Sequence, residues 1–215
     1  MLLINKNNLD TLAIDFDLTE EQYSQFNAFV ELLEKWNKKT NLVSRGDVSK
    51  IVSRHIRESI AFSKTDIVLE NIRVLDLGAG AGFPGVPLKI IIPSLKLTLL
   101  DSRKMKTLFL RQVVQELSFS ETDVICERAE DYAGFPDHHK FDAVFCRAVA
   151  KMERLWLWSK DLLKDEGVLI AQKGGDVAEE MNQLKKKFPD VSVSFKSCSL
   201  LGDDRIFVIV KKSYS

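Results

Sequence analysis

The sequence predicts an α/β fold: a mostly parallel seven-stranded sheet wound with helices, closed by an antiparallel hairpin and preceded by a helical cap. Three observations carry this. From Arg73 onward, short apolar runs alternate with amphipathic stretches, the pattern of strands buried on both faces and joined by helices. Before Arg73 the apolar residues recur at helical spacing instead. Near the end, only Leu201-Gly202-Asp203-Asp204 separates two apolar runs. That is too short for a helical crossover, so the two runs pair as a hairpin.

In the cap, Leu18-Thr19-Glu20-Glu21-Gln22-Tyr23 reads as a helix start. Thr19 is the N-cap, Gln22 completes a capping box, and Leu18 staples onto Tyr23. Tyr23, Phe26, Val30, Leu33 and Trp36 then form one apolar stripe through about residue 38. A second helix is expected from Val48 to Phe62, with Val48, Ile51, Val52, Ile56, Ser59 and Ile60 inward. The strands are expected at 73–77, 95–101, 123–127, 141–146, 167–172, 191–200 and 205–212. Helices are expected over VPLKIIIP, after Asp101 and over about 151–163. The expected division is a helical extension over 1–70 and one compact unit over 71–215.

Composition narrows the function classes. The chain has 215 residues with 45% hydrophobic content, enough for one substantial core. Lys plus Arg and Asp plus Glu balance at 31 each, so any attraction to nucleic acid is local rather than global. One such stretch runs from Lys35 to Lys64, where basic residues outnumber acidic ones eight to two. It suits phosphate contacts, or it is a solvated helix surface. The three cysteines, Cys126, Cys146 and Cys198, are widely spaced, without the spacing of a metal site, and fit a reducing cytoplasm. The first residues lack a signal-peptide pattern and no apolar run is long enough to span a membrane. A cytoplasmic monomer without metal or membrane attachment is the expectation.

The segment Val74 to Gly85, VLDLGAGAGFPG, is the strongest chemical signal. A strand carrying Asp76 runs straight into Gly78, Gly80 and Gly82, so a cofactor can approach bare backbone. Gly80 to Gly85 also satisfies the G-x-G-x-x-G pattern of dinucleotide-binding proteins, with Asp101 about 20 residues on. Register argues otherwise. The glycine leaving the strand is Gly78, and counting from it places Phe83 where the last glycine belongs. Pro84 has no N–H to offer a pyrophosphate at the helix start. No Tyr-x-x-x-Lys pair is present for proton transfer in a dehydrogenase. S-adenosylmethionine, which carries no phosphate, fits this loop better than a nicotinamide cofactor.

Taken together, DLGAGAGFPGVPL, LLDSRKMKTLFLRQV, RAED and FDAVFCRAVA resemble the bacterial 16S ribosomal RNA guanine-N7 methyltransferase family, also called glucose-inhibited division protein B. KWNKKTNLVS and RHIRESI in the cap, and QKGG and RIFVIVKK near the end, extend the resemblance over nearly the whole chain. It implies a Rossmann-like S-adenosylmethionine-dependent methyltransferase acting on guanine N7 of small-subunit 16S rRNA. Carried onto this chain, it implies cofactor contacts at Gly78, Phe83, Ala129, Glu130 and Arg147. Gly80 and Asp101 join them from the loop and the end of the second strand, Asp101 as an acceptor for ribose hydroxyls. The chain departs from the family at Glu58, where Asp is usual, at Cys146, where Ser is usual, and at Met105, where a basic residue is common.

Guanine N7 exposes a lone pair, so its methylation needs no general base and positioning dominates. No catalytic residue is therefore assigned. Cys146 at a strand end with Arg147 beside it could serve as a nucleophile, but a packed small residue is the favoured reading. Arg54, His55 and Lys173 are the RNA-contact candidates, His55 against the alternative of a packed, hydrogen-bonded histidine. Trp36, Trp156 and Trp158 are read as packing residues. Two other functions stay open: a methyltransferase for another RNA or a small molecule, and a non-catalytic RNA-binding module.

Overall fold

The computed structural model describes residues 6–132, 140–147, 149–202 and 204–213. Ala148 of the FDAVFCRAVA segment and Asp203 of the last turn lie outside them. The chain opens with α1 (Lys6–Phe16) and α2 (Glu20–Thr40). α1 escaped the sequence reading, although Leu9 and Leu12, both buried, and the partly buried Phe16 recur at helical spacing. Thr19 caps α2 as expected: its hydroxyl accepts from the Gln22 amide at 3.2 Å and the Gln22 side chain accepts from the Thr19 amide at 3.0 Å. Asn41, in the left-handed region at φ 48°, ends the helix.

The second helix of the cap differs from expectation. Val48–Lys50 and Ala61–Lys64 are 3-10 turns, Ile51–Ile56 is π-helical, and only Arg57–Ile60 (α3) is α-helical. The spacing of the anchors explains this. Ile51 and Ile56 are five apart and both fully buried. A π turn stacks i on i+5, whereas an α turn would rotate one of them away.

Seven strands and five more helices follow: β1 (Arg73–Leu77), α4 (Gly85–Ile91), β2 (Lys96–Leu100), α5 (Lys104–Glu116), β3 (Thr122–Ile125), α6 (Ala129–Tyr132), β4 (Phe141–Arg147), α7 (Met152–Ser159), β5 (Leu163–Gly174), α8 (Ala178–Lys187), β6 (Val191–Lys196) and β7 (Arg205–Lys212). The sheet order is β3-β2-β1-β4-β5-β7-β6. β1 to β5 run parallel, while β7 pairs antiparallel with both β5 and β6. Two strand limits shift by four residues, the others by two or fewer. β5 begins at Leu163, its register against β4 slipping between Phe141 and Ala143, so the charged Lys164-Asp165-Glu166 belongs to a strand. β6 stops at Lys196 rather than continuing to 200, and Ser199–Leu201 forms a 3-10 turn.

Alternate strand residues face opposite layers. Val74, Ala143 and Phe145 join one buried cluster with the cap, α4 and α5; Leu75, Val144 and Cys146 join another with α7 and α8. Phe62 fastens the cap to the sheet, its ring 5.1 Å from Phe145 and 4.7 Å from Phe207. Among the described residues no helix is long and apolar enough to cross a membrane. Truncating Phe62 to alanine removes a fully buried ring from this seam. The expected loss is about 3–5 kcal/mol, read as a lower urea midpoint with little change in slope.

Candidate cofactor and substrate site

The carboxyl ends of the parallel strands open into a cleft of about 550 Å³, where ligands of open α/β sheets bind. Its floor is the glycine loop. Gly78 sits at φ +76°, and a Cβ there would lie 2.8 Å from a Val149 methyl, so backbone conformation and close approach both require glycine. Gly85 is as tight, since a Cβ would meet Leu99 at 2.6 Å and Asp76 Oδ2 at 2.7 Å.

The loop amides bond within the protein. Gly78 and Ala79 donate to the Leu100 carbonyl, and Gly82 and Phe83 to that of Ala79. Gly80 donates to Asp101 Oδ2 at 3.0 Å and Gly85 to Asp76 Oδ2 at 2.8 Å. Pro84 has no amide hydrogen. Such a loop has few donors left for a pyrophosphate but retains the bare surface and space that a phosphate-free cofactor needs. These inward-bonded amides favour S-adenosylmethionine over a nicotinamide dinucleotide.

Of the expected site residues, Gly78, Gly80, Phe83, Asp101, Ala129, Glu130, Arg147 and His55 all line this cleft. Asp101 closes β2 with its carboxylate held by the Gly80 amide, the Arg103 amide at 2.9 Å and Lys106 Nζ at 3.4 Å. Ala129 and Glu130 begin α6, and Glu130 faces Arg128 at 3.5 Å. Arg147, at the end of β4, has its guanidinium 5.0 Å above the Phe83 ring and within 3.5 Å of Glu58. Its Nη1 donates to the His55 carbonyl at 3.2 Å and its Nη2 lies 3.0 Å from His55 Nδ1. His55 in turn stacks on Phe83 at 5.5 Å.

Arg54 and Lys173 lie outside the cleft lining. Arg54 donates to Glu58 at 3.0 Å, and Lys173 donates to Glu180 at 2.8 Å and to the Ala150 carbonyl at 2.7 Å. Cys146 is buried, and burial pushes its thiol up to about 12. A thiol in that state is a packing residue and not a nucleophile.

The sequence reading missed the wall opposite the glycine loop. Leu42, Val43, Ser44 and Asp47, between the cap helices, line the cleft, and the Ser44 hydroxyl donates to Asp47 at 2.6 Å. The Ser-x-x-Asp spacing was the available signal. Trp158 packs against the α7–α8 cluster, as its reading as a packing residue expects, and also borders the cleft; Trp156 is buried and Trp36 donates to Gln112 at 2.8 Å, both in packing roles.

Burial disfavours the charged form of two groups. His55 is lowered to about 4 by desolvation and then by Arg147. A neutral ring accepts from Arg147 at Nδ1, which assigns the proton to Nε2. Asp76, wholly buried beneath the start of α4, is raised to about 7 by desolvation, against the Gly85 amide that favours its anion.

The sheet order and the cleft at its carboxyl edge define the class, a Rossmann-like methyltransferase fold. Solved structures agree. A variant of MtNAS in complex with S-adenosylmethionine is similar at a TM-score of 0.60, 12% identity, 98% of this chain and 85% of that one. A precorrin-6y methyltransferase from Geobacter metallireducens gives 0.53, 16% identity, 81% and 92%.

Sequence comparison identifies the family. The model for rRNA small subunit methyltransferase G matches residues 22–205. Ribosomal RNA small subunit methyltransferase G of Desulforamulus reducens is 35% identical, over 93% of this chain and 85% of the relative. That of Psychromonas ingrahamii is 37% identical, over 91% and 92%. The chain belongs to the rRNA small subunit methyltransferase G family.

Asp76 makes a pH prediction. Its folded value of about 7 exceeds the ordinary 3.8, so its contribution to stability is full below about pH 3.8 and is lost as pH rises through about 7. Asp76→Asn keeps an acceptor for the Gly85 amide and cannot ionise. The stability difference between Asp76→Asn and the parent should move in favour of the variant across that window, by an amount on the order of a few kcal/mol. His55 acts in the opposite direction below about 6.5, equally in both proteins, and cancels from the difference. Chemical denaturation from pH 4 to 8 measures it; a flat difference would contradict the assignment.

Proposed function

We propose that this protein transfers a methyl group from S-adenosylmethionine to N7 of a guanine in 16S rRNA of the small ribosomal subunit, working in the cytoplasm. The family membership supports the substrate class, and the observation that carries the cofactor is the glycine loop with its internally bonded amides. S-adenosylmethionine, when bound, supplies an electrophilic methyl group on a sulfonium sulfur. Gly78, Gly80, Phe83, Asp101, Ala129, Glu130 and Arg147 are the residues to hold it, with Asp101 Oδ oxygens as acceptors for hydroxyls.

The chain's own chemistry suits a nucleophile that needs no deprotonation. Guanine N7 attacks through a lone pair, the new N–C bond forms as the C–S bond breaks, and the positive charge passes from sulfur to base. No proton moves. His55 is accordingly kept neutral and its Nδ1 is engaged by Arg147, so it is not arranged as a base. What remains for the protein is alignment and exclusion of water. The cap supplies this by laying Leu42 to Asp47 over the cleft.

RNA contact by Arg54 or Lys173 would require a phosphate to displace Glu58 or Glu180 from them. Arg103 needs no such exchange, since it stands exposed at the cleft edge with no ion pair among the described residues. It is the more favourable phosphate partner.

Labelled S-adenosylmethionine incubated with the protein and unmodified small subunits should yield N7-methylguanine in 16S rRNA. A protein that binds S-adenosylhomocysteine yet leaves 16S rRNA unlabelled would overturn the substrate reading. Gly78→Val should fold and bind S-adenosylhomocysteine at least about tenfold more weakly, since the branched side chain strains a positive φ and crowds Val149. Calorimetric titration checks this, with near-parental affinity as the contrary result.

A further inference from the structure

The short connection between β4 and α7 is gripped by side chains from two other elements. Strand alternation places Lys173 on the α7–α8 face of β5, in line with the buried Leu169 and Ala171. Its ammonium donates to Glu180 Oε1 at 2.8 Å and to the Ala150 carbonyl at 2.7 Å. The same Glu180 oxygen, in the first turn of α8, accepts from the Met152 amide at 2.5 Å. Met152 opens α7, where an amide has no carbonyl partner inside its own helix, so Glu180 supplies one.

The grip fixes Val149, which directly precedes Ala150. A Cβ added at Gly78 would lie 2.8 Å from a Val149 methyl, so Val149 rests on the bare Cα of the glycine loop. Val149 lines the cleft, whereas neither Lys173 nor Glu180 does. The wall after β4 is therefore set against the loop after β1 from behind.

A lysine at the carboxyl end of β5 would suit an RNA phosphate if its ammonium were uncommitted. This one spends two of its three donors on Glu180 and Ala150. The pair is also shielded, with side chains 16% and 20% exposed, so salt screens it less than a surface pair. We propose that Lys173 and Glu180 form a clasp that holds segment 149–152 against Gly78, which makes Lys173 a positioning residue for methyl transfer and not a phosphate contact. This rests on the function proposed above and assigns a role which that reading leaves open.

The test measures single-turnover methyl transfer at saturating S-adenosylmethionine and unmodified small subunits. Subunit affinity across a salt series and the urea midpoint are recorded for each variant. Lys173→Met should slow transfer by about tenfold or more, since misplacement by about 1 Å costs up to about a hundredfold. Its subunit affinity and salt slope should stay parental. Glu180→Ala should slow transfer in the same way, and Glu180→Gln, which keeps an acceptor oxygen for Lys173 and Met152, should recover most of the rate. The double variant Lys173→Met/Glu180→Ala should be about as slow as either single change, because the two residues act as one unit.

A phosphate contact gives the opposite pattern. Lys173→Met would then weaken subunit binding and lower its salt slope by about one, and Glu180→Ala would tighten binding by freeing the ammonium. Either result would overturn the clasp while leaving the function reading intact. So would a parental transfer rate in folded Lys173→Met, or a rate loss that only tracks a falling urea midpoint. A parent protein that transfers no methyl group to 16S rRNA would overturn the function reading and this role together.

Discussion

One buried carboxylate ties the helical cap to the catalytic edge of the sheet. Glu58, 4% exposed in α3, accepts from Arg54 at 3.0 Å, Arg205 at 2.5 Å and Arg147 at 3.5 Å. These arginines come from the cap, the start of β7 and the end of β4. A buried charge is tolerable only when paired and hydrogen-bonded, and removing one partner of such a pair costs about 3–5 kcal/mol. The arrangement is therefore held as a unit. Through it the cap is placed where Leu42 to Asp47 face the glycine loop, and Arg147 is fixed above Phe83. The one carboxylate serves Arg147 through Oε2 and Arg205 through Oε1.

The electrostatics of the cleft follow from that fixation. Arg147 spends donors on the His55 carbonyl and on His55 Nδ1, so the imidazole beside it stays uncharged. Beneath the loop, Asp76 is desolvated until its proton is retained near neutrality, and its Oδ1 has no partner among the described residues. Neither group is presented as a base: His55 has its accepting nitrogen engaged by Arg147, and Asp76 is wholly buried beneath the loop. Chemistry on a lone pair that is already free asks for such a site: orientation and dryness supply the rate, and a base would have nothing to remove.

The loop shows how one glycine pattern can serve two cofactors on paper and one in space. Its spacing admits a dinucleotide reading, but its amides turn inward to Leu100, Ala79, Asp101 and Asp76. A phosphate would compete with those bonds. The bare Cα of Gly78 and the Asp101 carboxylate instead leave open space and an acceptor along the cleft.

Local chemistry was legible in the sequence wherever neighbouring residues decide the outcome. The Thr19–Gln22 capping box, β1 running into the glycine loop, Asp101 closing β2 and the β6–β7 hairpin all follow from spacing, propensity and turn length. What escaped depends on partners far away in the chain. The π turn at Ile51–Ile56 follows from which isoleucines the sheet buries, and Arg205 reaches Glu58 across 147 positions. Trp158 reads like Trp156 until the helix is seated, when Trp156 is buried and Trp158, half-buried against the same cluster, also borders the cleft. The sequence by itself determined the α/β class, the glycine loop and the side of the sheet on which ligands bind, because backbone periodicity and glycine sterics are local. Tertiary structure alone decided the charge states of His55 and Asp76, the anchoring of Arg147 and the wall laid over the cleft. Desolvation and ion pairing depend on what packs around a group, and no stretch of chain carries that information alone.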